Sequence, residues 1–233
     1  MASQNKVSIK QAIPLFEGID KFDEFQISRM CLITRVTAGE TILKRNDETT
    51  DVFLIIDGTV SVRDYSIDGK EVSYLEISTG GIFGEFAAID GRPRSASIEA
   101  KADATIASMS AQDFRKLIAS DGAFGLRLAE HLVAKARGLS QRVFEYGALS
   151  VRQRLHAEIL RLCDTEAANG QVCTISPAPS HYELATRIAT HREAVTKELN
   201  RLVSQGIARL ERRSITITDL PRLRRAVSGD DLA

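Results

Sequence analysis

Between about residue 32 and residue 109 apolar and polar positions alternate with a period near two, in short runs. VFLII (52–56) and TVSVRDY (59–65) lie among turn signals at Gly39-Glu40, Asp57-Gly58, Asp68-Gly69, Gly80-Gly81 and Asp90-Gly91. Short alternating runs broken in this way predict antiparallel strands closed into a sandwich, roll or barrel. From Ser110 the period becomes helical. Ser110 and Asp113 have the spacing of a helix start, and after Asp121-Gly122 a proline-free run reaches about Gly147. Along it Leu128, Leu132, Leu139, Val143 and Tyr146 fall near one face. A helix of roughly 25 residues is about 37 Å long. That exceeds what covering one small roll needs, so part of it is expected to pack against a second copy of the chain.

Ser150 and Gln153 have capping-box spacing and open a further helix, VRQRLHAEILRLC. Beyond the loop DTEAANGQVCTISPAPS comes SHYELATRIATHREAVTKELNRLVSQGI. There Ser180 and Glu183 cap one helix, and a tight turn leads to a second helix from Arg192 to Val203. Gly206 and the strand-like IARLERR and SITIT follow, the pattern of a winged helix-turn-helix. The fold class is therefore α+β: an N-terminal β-roll over 1–120, a dimerisation helix over 121–147, a hinge at 148–150 and a winged helix-turn-helix over 151–233.

Charge adds to this picture. The chain is neutral overall, yet residues 187–225 hold ten basic and four acidic side chains. A basic end on a second helix carrying Arg192, Lys197 and Arg201 points to double-stranded DNA. The three cysteines, Cys31, Cys163 and Cys173, are an odd number without tight spacing, so no disulfide framework or metal site is expected. The histidines at 131, 156, 181 and 191 show no HExxH, and no G-x-S-x-G or Walker sequence occurs. No catalytic or metal-ligating residue is assigned, and an enzyme is not expected. No stretch approaches the roughly 18 apolar residues of a membrane span, and MASQNKVSIKQAIP has no apolar signal core. A cytoplasmic chain without a membrane partner is expected.

Residues 81–100, GIFGEFAAIDGRPRSASIEA, place Glu85 and Arg94 either side of a turn among small and apolar residues. As a loop ion pair they would be worth little. In the company of a roll, a long helix and a DNA reader, however, the chain from about 15 to 227 resembles the Crp/Fnr family, in its cyclic-nucleotide branch of the cyclic-AMP receptor type. GEFAAIDGRPRSA is similar to the phosphate-binding cassette of cyclic-nucleotide-binding domains. The resemblance implies that amides of Gly84, Glu85, Phe86 and Ala87 and the fork of Arg94 take the cyclic phosphate, that Glu85 accepts the ribose 2′-hydroxyl, and that Ser95 adds a hydroxyl. The family's iron-sulfur sensors use an N-terminal cysteine cluster and its haem sensors a histidine in the roll, neither of which is present.

By the same resemblance Leu139 and Ser140 stand where a Thr-Ser pair meets the purine in the cyclic-AMP receptor. Leu139 cannot hydrogen-bond, and Ser95 can meet a syn guanine, so cyclic GMP is expected to compete with cyclic AMP as effector. Arg192, Glu193, Lys197 and Arg201 are the expected DNA contacts, on a palindrome with TGTGA-like half-sites. Thr190 and Glu193 also have capping-box spacing, which gives Glu193 a second reading. The loop Asp164 to Cys173 is expected, by resemblance, to touch RNA polymerase. A regulator that binds DNA without nucleotide, and a cyclic-nucleotide-dependent enzyme or binding module with no DNA role, are the alternatives.

Overall fold

The computed structural model describes residues 8–65, 71–166 and 171–228, which fall in two compact units; the first ends at Ala136 and the second begins at Arg137. The first opens with α1 (Ile9–Ala12), a 3-10 turn (Pro14–Phe16) and α2 (Glu24–Arg29). The strands are β1 (Cys31–Val36), β2 (Thr41–Leu43), β3 (Val52–Asp57), β4 (Thr59–Tyr65), β5 (Glu71–Ser78), β6 (Ile82–Phe83), β7 (Ser97–Ala100) and β8 (Ala104–Met109). Helix α3 (Glu85–Asp90) sits between β6 and β7, and α4 (Ala111–Ser120) and α5 (Gly122–Ala148) follow the roll.

Two antiparallel four-stranded sheets, β1-β8-β3-β6 and β2-β7-β4-β5, make the roll. The period of two in VFLII explains how β3 serves two cores at once. Val52, Leu54 and Ile56 join Phe16, Phe114 and Phe124 under the helices, while Ile55 joins Val60, Ile77, Phe83 and Ile98 of the other cluster. Phe124 ties the start of α5 to this core, stacking on Phe16 at 5.6 Å and meeting Phe114 edge-on at 5.7 Å. Ser110 caps α4 through the amide of Asp113, and Asp121 Oδ1 takes the amides of Ala123 and Phe124 where α5 begins. Further along α5, Leu126, Val133, Leu139, Val143 and Phe144 are exposed, Val143 to 71%.

The second unit adds α6 (Val151–Glu166), β9 (Cys173–Ile175), α7 (His181–Arg187), α8 (Arg192–Ser204), β10 (Ala208–Leu210), β11 (Ile215–Ile217) and α9 (Leu220–Ser228). Ser150 and Gln153 exchange both capping-box bonds, as do Ser180 and Glu183. The sheet β10-β11-β9 packs with α6, α7 and α8 around Leu155, Ile159, Leu184, Val195, Leu199 and Ile217. The cysteine expectation needs correcting, because Cys163 and Cys173 are disulfide-bonded, both buried, with Cα atoms 5.8 Å apart. Their spacing in sequence gives no sign of this; α6 and β9 bring them together. Cys31 is a free, half-buried thiol whose pKa burial pushes up to about 12, with Asp113 and Glu24 adding to the shift.

Candidate nucleotide site and DNA-reading face

Helix α3 is bracketed by glycines in the left-handed region, Gly84 at φ 80° and Gly91 at φ 71°. Any other residue at Gly84 would be strained, and its Cβ would fall 2.7 Å from Arg94 Nη1 and 2.9 Å from the Asp51 carbonyl. The glycine thus lets the chain turn into α3 while Arg94 passes close behind it. Arg94 is 3% exposed and donates through three nitrogens: Nε to Thr49 Oγ1 (3.0 Å), Nη1 to the Gly84 carbonyl (2.9 Å) and Nη2 to the Asp51 carbonyl (2.8 Å). Its guanidinium carbon lies 5.7 Å from the Phe53 ring centroid. Burial lowers its pKa, while Asp51, Asp47 and Glu85 oppose that shift.

Glu85, also 3% exposed, is the first residue of α3. Its Oε1 accepts from Lys135 Nζ at 2.7 Å. The same ammonium reaches the Ile82 carbonyl at 3.4 Å and lies 5.9 Å from the Phe86 ring centroid. Ala87 is buried, whereas Phe86 and Ser95 are exposed. The first unit therefore gathers Gly84, Glu85, Phe86, Ala87 and Arg94 around one short helix, with Ser95 next to the arginine. Leu139 and Ser140 are exposed residues of α5 and belong to the second unit. Lys135 was missed by sequence reasoning, although it lies one helical turn before Leu139. His131, one turn earlier again, has its pKa lowered by burial and by Lys135, with Glu85 opposing.

In the second unit α7 and α8 meet through a turn in which Ala189 adopts φ 52°. The N-cap of α8 is His191, without a side-chain cap. Thr190 and Glu193 consequently form no capping box, and that reading of Glu193 is set aside. Val195, Leu199 and Leu202 bury one face of α8, while Arg192, Glu193 and Lys197 are exposed on the other and Arg201 is half-buried. Exposed Arg209, Arg212 and Arg213 follow on β10 and the β10–β11 turn.

Behind α8, buried Glu198 accepts from His156 Nε2 at 2.8 Å and pairs with Arg152 Nε at 3.1 Å. Burial pushes His156 below the usual histidine range; Glu198 opposes this, and Arg152 and Arg201 add to it. Among the described residues no group of three or more His, Cys, Asp or Glu is placed to hold a metal ion, and no helix is long and apolar enough to cross a membrane.

Residues 33–121 match the cyclic nucleotide-binding domain, and residues 153–226 match the Crp-like helix-turn-helix domain. The chain is 25% identical over 191 residues to the cAMP-activated global transcriptional regulator Vfr of Pseudomonas aeruginosa, covering 80% of this chain and 89% of Vfr. It is 26% identical over 201 residues to the cAMP-activated regulator CRP of Pasteurella multocida, covering 86% and 96%. A structure of a CooA variant from Carboxydothermus hydrogenoformans is similar in fold, with a TM-score of 0.79 and 20% identity over 97% of both chains.

Proposed function

We propose, from the premise that this chain belongs to the Crp/Fnr family of transcription regulators and is not an enzyme, that it is a cyclic-nucleotide-responsive homodimer. Cyclic AMP is its effector, with cyclic GMP as a competitor, and it reads palindromic DNA in the cytoplasm. The observation that carries this reading is the buried pair Glu85 and Arg94 at one short helix bracketed by left-handed glycines. A carboxylate suits a ribose hydroxyl and a guanidinium suits a cyclic phosphate. Few other ligands ask for both so close together.

The same reading assigns the roll to 1–120, dimerisation to 121–147, where Leu126, Val133, Val143 and Phe144 leave an apolar face exposed, a hinge to 148–150, and DNA reading to 151–233. Arg192 takes guanine, Glu193 accepts from a cytosine amino group, and Lys197 reads more loosely because an ammonium lacks the planar fork. Arg201 contacts phosphate. RNA polymerase remains a proposed partner by family likeness; of the loop assigned to it, residues 167–170 lie outside those described. Leu139 offers no hydrogen bond to adenine, so the two nucleotides are expected to bind within roughly a hundredfold of each other.

Calorimetric titration with each nucleotide, followed by DNA-shift assays on a palindromic fragment, tests the whole reading. Binding of neither nucleotide, or DNA affinity indifferent to both, would sink it. Complete rejection of cyclic GMP would sink the part resting on Leu139 and Ser95.

A further inference from the structure

Within the second unit, the last turns of α5 are joined to α6 and α7 by a cluster of charges. Glu158 on α6 is 1% exposed and pairs with three arginines: Arg142 of α5 through Nη2 at 3.5 Å, Arg187 of α7 through Nη1 at 3.2 Å, and Arg161 of its own helix. Buried Glu145 of α5 takes Arg161 Nη2 on both oxygens, at 2.8 and 2.9 Å. Arg187 is also the last residue of α7, where helix carbonyls lack a partner along the chain. Its carbonyl accepts from Tyr146 Oη at 2.9 Å and from Arg142 Nη1 at 3.3 Å, both on α5. Arg187 is thus held at backbone and side chain together. Immediately after it the chain turns through Ala189 into α8.

An apolar patch could fasten these helices at a lower desolvation cost, so stability alone is a poor reason for burying two carboxylates and their arginines. What directional bonds add is one defined register between α5 and the end of α7. We propose that Arg142, Glu145, Tyr146 and Glu158 are positioning residues that fix the α7–α8 turn to the last turns of α5, so that the DNA-reading helix follows α5 when a nucleotide binds. Arg187 is the point on which they act. This rests on the nucleotide and DNA reading above, and deepens it by naming the groups that couple the two events.

The test measures the gain in affinity for a palindromic DNA fragment that saturating cyclic AMP confers, in wild type, Glu158→Gln and Tyr146→Phe. Nucleotide affinity is measured separately by calorimetry. Tyr146→Phe removes one hydroxyl from a half-exposed ring, so it keeps the test open if Glu158→Gln fails to fold. The expected result is nucleotide affinity within about twofold of wild type, with the cyclic-AMP-dependent gain cut about tenfold. A gain equal to wild type in folded variants overturns the proposal, because a cluster that only holds the unit together would leave it unchanged. A wild-type protein whose DNA affinity ignores nucleotide overturns the proposed function, and this inference with it.

Discussion

Arg94 has a structural role whatever it binds. Its nitrogens bridge the Gly84 and Asp51 carbonyls and Thr49, so it braces the loop before β3 against α3. Arg94→Ala is expected to abolish measurable nucleotide binding and to lower stability by about 1 to 3 kcal/mol, since two carbonyls and the Thr49 hydroxyl lose a charged donor in a part-buried setting. Arg94→Lys should recover part of the stability and little of the binding, because an ammonium cannot span the same fork. Chemical denaturation beside calorimetry separates the two effects.

His156 makes a different prediction. Its pKa is lowered by burial in the folded chain, so the unfolded chain holds the proton more tightly. The second unit should then keep its full stability above the unfolded value of about 6.5 and lose up to about 1.4 kcal/mol per pH unit below it, until the folded value is passed. Thermal unfolding from neutral to mildly acid pH checks this, and His156→Gln should flatten the slope.

Among the elements, the turn between α7 and α8 carries an evident strain. Ala189 sits at φ 52°, where a side chain is disfavoured and glycine is not. Ala189→Gly should stabilise the unit by a few tenths to about 1 kcal/mol, the relief of the left-handed backbone outweighing the entropy that glycine loses on folding. Equilibrium unfolding would show it, and a loss of stability instead would mean that the turn is held without strain. The α8 start also leaves Glu193 outside a capping box. With His191 as N-cap and no side-chain cap, a change at Glu193 should alter the preferred base at one half-site position rather than weaken all sequences alike. Selection of sites by Glu193→Ala from a randomised DNA pool checks this.

At the scale of the molecule, most of the architecture was legible because it depends on local periodicity. The two-residue period of VFLII, the helical run from Gly122 and the caps at Ser110, Ser150 and Ser180 are all properties of neighbouring residues. What was illegible depends on groups far apart in the chain. Lys135 meets Glu85 across 50 residues, and His156 meets Glu198 across 42. Neither residue type nor spacing announces such a partner. The Cys163–Cys173 bond was missed for the same reason, since packing of α6 against β9 makes it. By closing a ten-residue separation it should contribute roughly 2 to 3 kcal/mol to the second unit. Adding a thiol reductant should therefore lower that unit's melting temperature and leave a Cys163→Ser/Cys173→Ser variant unaffected.

The contact between Lys135 and Glu85 carries one consequence for the chain as a sensor. A ligand that uses Glu85 must share the carboxylate with, or take it from, an ammonium tethered to the same polypeptide. A tethered rival has a fixed effective concentration, whatever the amount of protein in the cell. It therefore acts as a constant handicap against the ligand, and a constant handicap is a threshold. On the proposed reading, this one lysine would raise the nucleotide level at which the protein responds.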